Sequence, residues 1–98
     1  MTVATPKRST EEMRKLRKQA GVYIRELRLA AGLSQLDLAQ RLKLQYYTFI
    51  SQIENGAARV PPESIDEFAA ALGVARGEFA KTLLSFYDPW TYRAIFDA

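Results

Sequence analysis

Apolar residues recur along this chain at steps of three and four, the spacing of a helix that buries one face. Met13, Leu16, Ala20, Tyr23 or Ile24, Leu27 and Ala31 keep that step, after a capping-box signature in Ser9-Thr10-Glu11-Glu12 with Ser9 as N-cap. Gly21 falls inside this segment and weakens a helix by about 1 kcal/mol relative to Ala, so a bend or break is expected there. Gly32 is placed to end it. Ser34 predicts the start of a second helix, about Gln35 to Leu42, with Leu36, Ala39 and Leu42 on one face and Leu38 beside them. Lys43-Leu44-Gln45 then forms a turn with Leu44 as its apolar plug. A third helix is expected from about Tyr46 to Glu54, with Ile50 and Ile53 inward, and Asn55-Gly56 ends it.

Beyond a loop closed by Pro61 and Pro62, PESIDEFAAALG predicts a fourth helix, with Ile65, Phe68, Ala69 and Leu72 inward, Gly73 as C-cap and Val74 plugging the next bend. A fifth covers roughly Arg76 to Phe86, with Phe79, Leu83 and Phe86 on one side. Asp88-Pro89 restarts a short helix, since Asp caps well and Pro suits the first turn. The expected fold is all-α: an N-terminal arm over 1–8, one helical domain over 9–86 with an extended first helix, and an aromatic tail over 87–98. No repeat or low-complexity segment is visible. Within the domain, the second and third helices are short and joined by a brief turn. The third is polar on its outer face, which carries Tyr47, Thr48, Ser51 and Gln52. Such a pair suggests a helix-turn-helix that reads DNA.

Composition narrows the alternatives. A chain of 98 residues suffices for one domain, and 48% hydrophobic residues can form its core. With no Cys there is no disulfide or thiolate metal site, and with no His the usual general base and commonest metal ligand are missing. The expectation is therefore a protein that is not an enzyme and needs no cofactor. No apolar run approaches the roughly 20 residues of a membrane span, and MTVATPKRST lacks the apolar core of a signal peptide. A cytoplasmic protein is expected, held to the nucleoid by its DNA. The net charge of +3 is uneven: residues 1–60 carry 11 Lys and Arg against 5 Asp and Glu, residues 61–98 carry 3 against 6. A basic front and an acidic back fit a protein that turns one side toward a polyanion, although an ordinary solvated helix surface gives the same numbers.

IRELR at 24–28, GLSQ at 32–35, LA at 38–39, ISQIENG at 50–56 and ALGV at 71–74 stand in an order and spacing that resemble the lambda-repressor-like helix-turn-helix domains, of Cro/C1 or XRE type. The resemblance covers slightly more than half the chain. It implies a regulator, chiefly a repressor, binding a pseudo-palindromic operator in double-stranded DNA as a homodimer. It places Tyr47, Thr48, Ser51 and Gln52 against base edges. Gln35 matches a glutamine that meets a phosphate and buttresses the recognition helix. Asn55, through its backbone amide, and Arg59 fall where the following loop meets phosphates, and Lys43 and Tyr46 are further backbone candidates. Two departures are visible: Lys43 stands where the turn usually has Gly, and the interval from Leu42 to Ile50 is one residue longer than usual. The tail aromatics Trp90, Tyr92 and Phe96 form either a lid or a dimer interface, the latter favoured by two-fold operators and by the enrichment of aromatics at interfaces, with the long first helix, through Met13 and Leu16, as the competing interface. Two other functions stay open, an antitoxin whose tail masks a toxin and a protein-interaction module that has lost DNA binding.

Overall fold

The computed structural model describes residues 10–97, and those residues form six α-helices and one 3-10 turn. They are α1 (Thr10–Ala30), α2 (Gln35–Arg41), α3 (Thr48–Glu54), α4 (Ile65–Leu72), α5 (Arg76–Tyr87) and α6 (Pro89–Phe96), with the 3-10 turn Pro62–Ser64 leading into α4. The arm over 1–8 and the proposed N-cap Ser9 lie outside the described residues.

Four helices end in the same way. The N–H of Gly32 reaches the Leu29 carbonyl and that of Leu33 the Arg28 carbonyl; the pattern repeats at Lys43-Leu44, Gly56-Ala57 and Gly73-Val74. This is the Schellman arrangement, in which a left-handed residue turns the chain and an apolar residue after it packs back on the helix. Leu33, Leu44 and Val74 are those apolar plugs, Leu33 buried and the other two packed against the core. Three of the left-handed positions are glycine; the fourth is Lys43, at φ 57°.

The core joins α1 to α5, with the α2–α3 pair and α4 laid against them. Ile24, Leu38, Ile50, Ile53, Phe79 and Leu83 are fully buried. Tyr23 brings its ring 6.2 Å from those of Phe79 and Phe86, closing the seam between α1 and α5.

Two expectations are corrected. Gly21 neither bends nor breaks α1, which runs unbroken for 21 residues. A Cβ there would lie 2.1 Å from the carbonyl oxygen of Glu54, so the glycine is where α1 presses against the end of α3. Leu36 is not inward: it is 52% exposed, whereas Leu38 and Ala39 are buried. At 100° per residue, Leu38, Ala39 and Leu42 centre the buried face of α2 roughly 110° from Leu36, and half-buried Gln35 lies nearer that face.

Candidate nucleic-acid interface

The second helix is set by a complete capping box. Ser34 Oγ accepts the Asp37 N–H at 2.9 Å, and Asp37 Oδ2 accepts the Ser34 N–H at 2.9 Å. The Ser34 backbone N–H, and after it the Ser34 hydroxyl, hold the Asp37 carboxyl below its ordinary value. After the Lys43 turn the chain is extended or bent through Gln45 and Tyr46, and α3 begins at Thr48, later than the sequence suggests. Tyr47 is its N-cap and supplies no side-chain cap. Tyr46 and Tyr47 therefore precede the helix, 67% and 52% exposed, with the Gln45 amide donating to the Tyr46 hydroxyl at 3.3 Å.

Along α3 the expected division of faces is present. Ile50 and Ile53 are buried, Thr48 and Gln52 are exposed, and Ser51 is half-buried. Phe49 packs against the core. The outer face of α3 thus carries a hydroxyl and an amide, groups suited to the donors and acceptors on base edges.

What holds α3 at its angle is a buried carboxylate that the pattern of apolar positions did not single out. Glu54 receives two bonds from the Arg28 guanidinium, Nε at 2.6 Å and Nη2 at 3.0 Å, with side chains only 8% and 5% exposed. Arg28 Nη1 also donates to the Leu33 carbonyl at 2.8 Å. Bonding to Glu54 raises the guanidinium above its ordinary pKa, against the opposing effect of burial. The Gln35 amide donates to Glu54 Oε1 at 3.2 Å. One carboxylate therefore ties the end of α3 to α1 and to the first residue of α2. The signal lay in IRELR and ISQIENG, but a lone Arg on a helix reads as a solvated charge until its partner is known.

The loop after α3 is internally satisfied. The Asn55 backbone N–H donates to the Ser51 carbonyl at 3.0 Å, and its side-chain Oδ1 accepts the Ala57 N–H at 3.0 Å. The Asn55 backbone N–H is thus engaged within the fold as the C-cap of α3, while the residue itself is exposed. Arg59 is exposed, its guanidinium 4.6 Å above the Tyr87 ring. The Tyr87 hydroxyl accepts the Val60 N–H at 3.2 Å, and burial pushes that phenol above its ordinary pKa. Lys43 is exposed on the turn before α3. Gln35 thus opens α2, Lys43 and Tyr46 lie in the turn between α2 and α3, and Asn55 and Arg59 follow α3.

The tail divides. Asp88 caps α6 through the Thr91 N–H at 3.0 Å. Trp90 is half-buried and borders a narrow crevice with Met13, Leu16, Arg17, Phe86 and Tyr87. The Tyr92 and Phe96 rings meet at a tilt of 43° with centres 4.9 Å apart, and the Lys81 ammonium lies 4.6 Å over the Phe96 ring. Ile95 and Phe96 remain 58% and 45% exposed.

Among the described residues no three His, Cys, Asp or Glu side chains gather where they could hold a metal ion, and no helix is long and apolar enough to cross a membrane. The family model of the helix-turn-helix domain matches residues 19–81, about two thirds of the chain, and the chain belongs to that DNA-binding family. Comparison with curated proteins gave no match.

Proposed function

We propose that this chain is a sequence-specific transcriptional regulator of the lambda-repressor-like, Cro/C1 or XRE kind, most simply a repressor that blocks a promoter by occupancy. It acts in the cytoplasm as a homodimer on a pseudo-palindromic operator, each copy laying α3 in the major groove. One observation carries the reading: α3 presents Thr48, Ser51 and Gln52 outward while Arg28, Gln35 and Glu54 fix its angle from behind. In this reading Gln52 pairs with an adenine edge, Thr48 and Tyr47 reach a thymine methyl, and Ser51 contacts a neighbouring base. Gln35, Lys43, Tyr46, Arg59 and the Asn55 side chain steady the phosphates on either side. Trp90, Tyr92 and Phe96 lie on or beside the surface that joins two copies. The exposed apolar end of α6 also suits an unlike protein partner, as in an antitoxin.

Selection of bound sites from a pool of random duplexes tests the reading. Enrichment of one two-fold sequence is expected, and Gln52→Ala costs about 1–3 kcal/mol on it with little effect on random DNA. Equal weakening on both would remove Gln52 from base readout. A pool from which nothing is enriched, and to which the protein does not bind at low salt, would point instead to the interaction module.

A further inference from the structure

Outside the helix-turn-helix pair, cations line up along α1. Arg14, Lys18, Gly21, Arg25 and Arg28 follow one another at steps of four, three, four and three, which places them on a single line of the helix surface. That line faces the end of α3. The Gly21 position meets the Glu54 carbonyl, and a Cβ on Gly56 would lie 2.9 Å from both the backbone nitrogen and the Cγ of Lys18. Arg17, next to the line, donates to the Gly56 carbonyl at 3.3 Å. The stem of Lys18 is therefore laid along the loop that follows α3.

Further along, Arg25 borders a recess with Gln35, Ser51 and Asn55. Arg14, Lys18 and Arg25 are all exposed. Neither of the ion pairs Arg28–Glu54 and Arg76–Asp66 involves them. Glu11 stands at the head of the line and Glu26 stands off it. Arg28 is engaged inside the fold, so the other three cations are the ones left to the surface.

We infer that Arg14, Lys18 and Arg25 form a phosphate-contacting ridge, which carries the DNA footprint from the loop after α3 out along α1. The inference rests on the DNA-binding reading above and extends it to residues that the helix-turn-helix match only partly covers, since Arg14 and Lys18 precede residue 19. From Arg14 to Arg25 the helix rises roughly 16 Å, enough to follow several phosphates of one strand. Exposed cations outside any ion pair can displace condensed counterions at little cost in desolvation, and they add affinity without adding sequence preference.

The test measures affinity for a 30-base-pair random duplex across a salt series, using the full chain and an Arg14→Gln/Lys18→Gln/Arg25→Gln variant. The slope of log affinity against log salt is expected to become shallower by about 2 to 3, near 0.9 for each phosphate no longer neutralised. The enriched two-fold sequence should stay the same. A charge-matched control, Arg76→Gln/Lys81→Gln/Arg93→Gln on α5 and α6, should change the slope far less. Helix content by circular dichroism confirms that both variants fold. A ridge variant with the parent's slope, or a control that lowers it equally, overturns the ridge while leaving the reading of α3 intact. A parent chain that binds no duplex overturns both.

Discussion

Gly21 on α1 and the carbonyl of Glu54 on α3 approach so closely that no side chain fits between them: the nearest place for a Cβ is 2.1 Å from that oxygen. This closeness gives Gly21→Ala an unusual sign. On helix propensity alone, the substitution should stabilise by about 1 kcal/mol. Here the methyl meets backbone rather than a movable side chain, and forcing it in costs about 1–3 kcal/mol or more. Net destabilisation is expected, read as a lower melting temperature by roughly 4–8 °C for each kcal/mol. A more stable Gly21→Ala protein would mean that α1 and α3 do not meet in this way.

Arg28 and Glu54 should behave as a unit. Removing one partner of a buried pair strands the other charge, at a cost of about 3–5 kcal/mol. Arg28→Met alone is expected to fall in that range, while Arg28→Met/Glu54→Met should recover a large part of the stability. A double-mutant cycle from denaturant unfolding reads the coupling, and additive effects would contradict a shared bond.

Lys43 holds φ 57° with a side chain, a conformation that costs an L residue about 1–2 kcal/mol relative to its right-handed form. Lys43→Gly relieves this at the expense of a more flexible unfolded chain, so a net gain of about 0.5–1 kcal/mol is expected. If Lys43 also meets a phosphate, the salt slope on DNA falls by about 0.9 in the same variant. Stability and binding then move in opposite directions, and chemical denaturation beside a salt titration separates them.

The end of α6 offers a sharper test of association than removal of the whole tail. Trp90 already borders a crevice of its own chain, whereas Ile95 and Phe96 are exposed. Ile95→Glu/Phe96→Glu is expected to give a folded monomer by sedimentation and to weaken operator binding by orders of magnitude, because two linked readers gain effective concentration. A variant that still dimerises would move the interface to α1.

Much of this architecture is legible in the spacing of apolar residues and in the caps. Ile50 and Ile53 orient α3, Ser34 opens α2, and the absence of Gly at Lys43 marks a strained turn. Gly21 and Arg28 are each decided by a neighbour that local spacing does not reveal. Gly21 looks like a breaker until α3 is laid against it. Arg28 looks solvated until Glu54 is found 26 positions on. Leu36 looks buried because three-residue steps from Ala39 include it, yet Leu38 turns the face away. The start of α3 also reads early, because Tyr46 and Tyr47 are compatible with a helix and nothing local stops one.

The single carboxylate that joins three helices bears on the thermodynamics of association. Glu54 holds α1, α2 and α3 together in the free protein, through Arg28 and Gln35. No helix of the reading surface is left to order when a duplex arrives, so ordering at that moment is confined to exposed side chains such as Lys43, Gln52 and Arg59. The heat-capacity change on binding should then follow the apolar area covered by the duplex alone, without the large negative excess that marks folding coupled to binding.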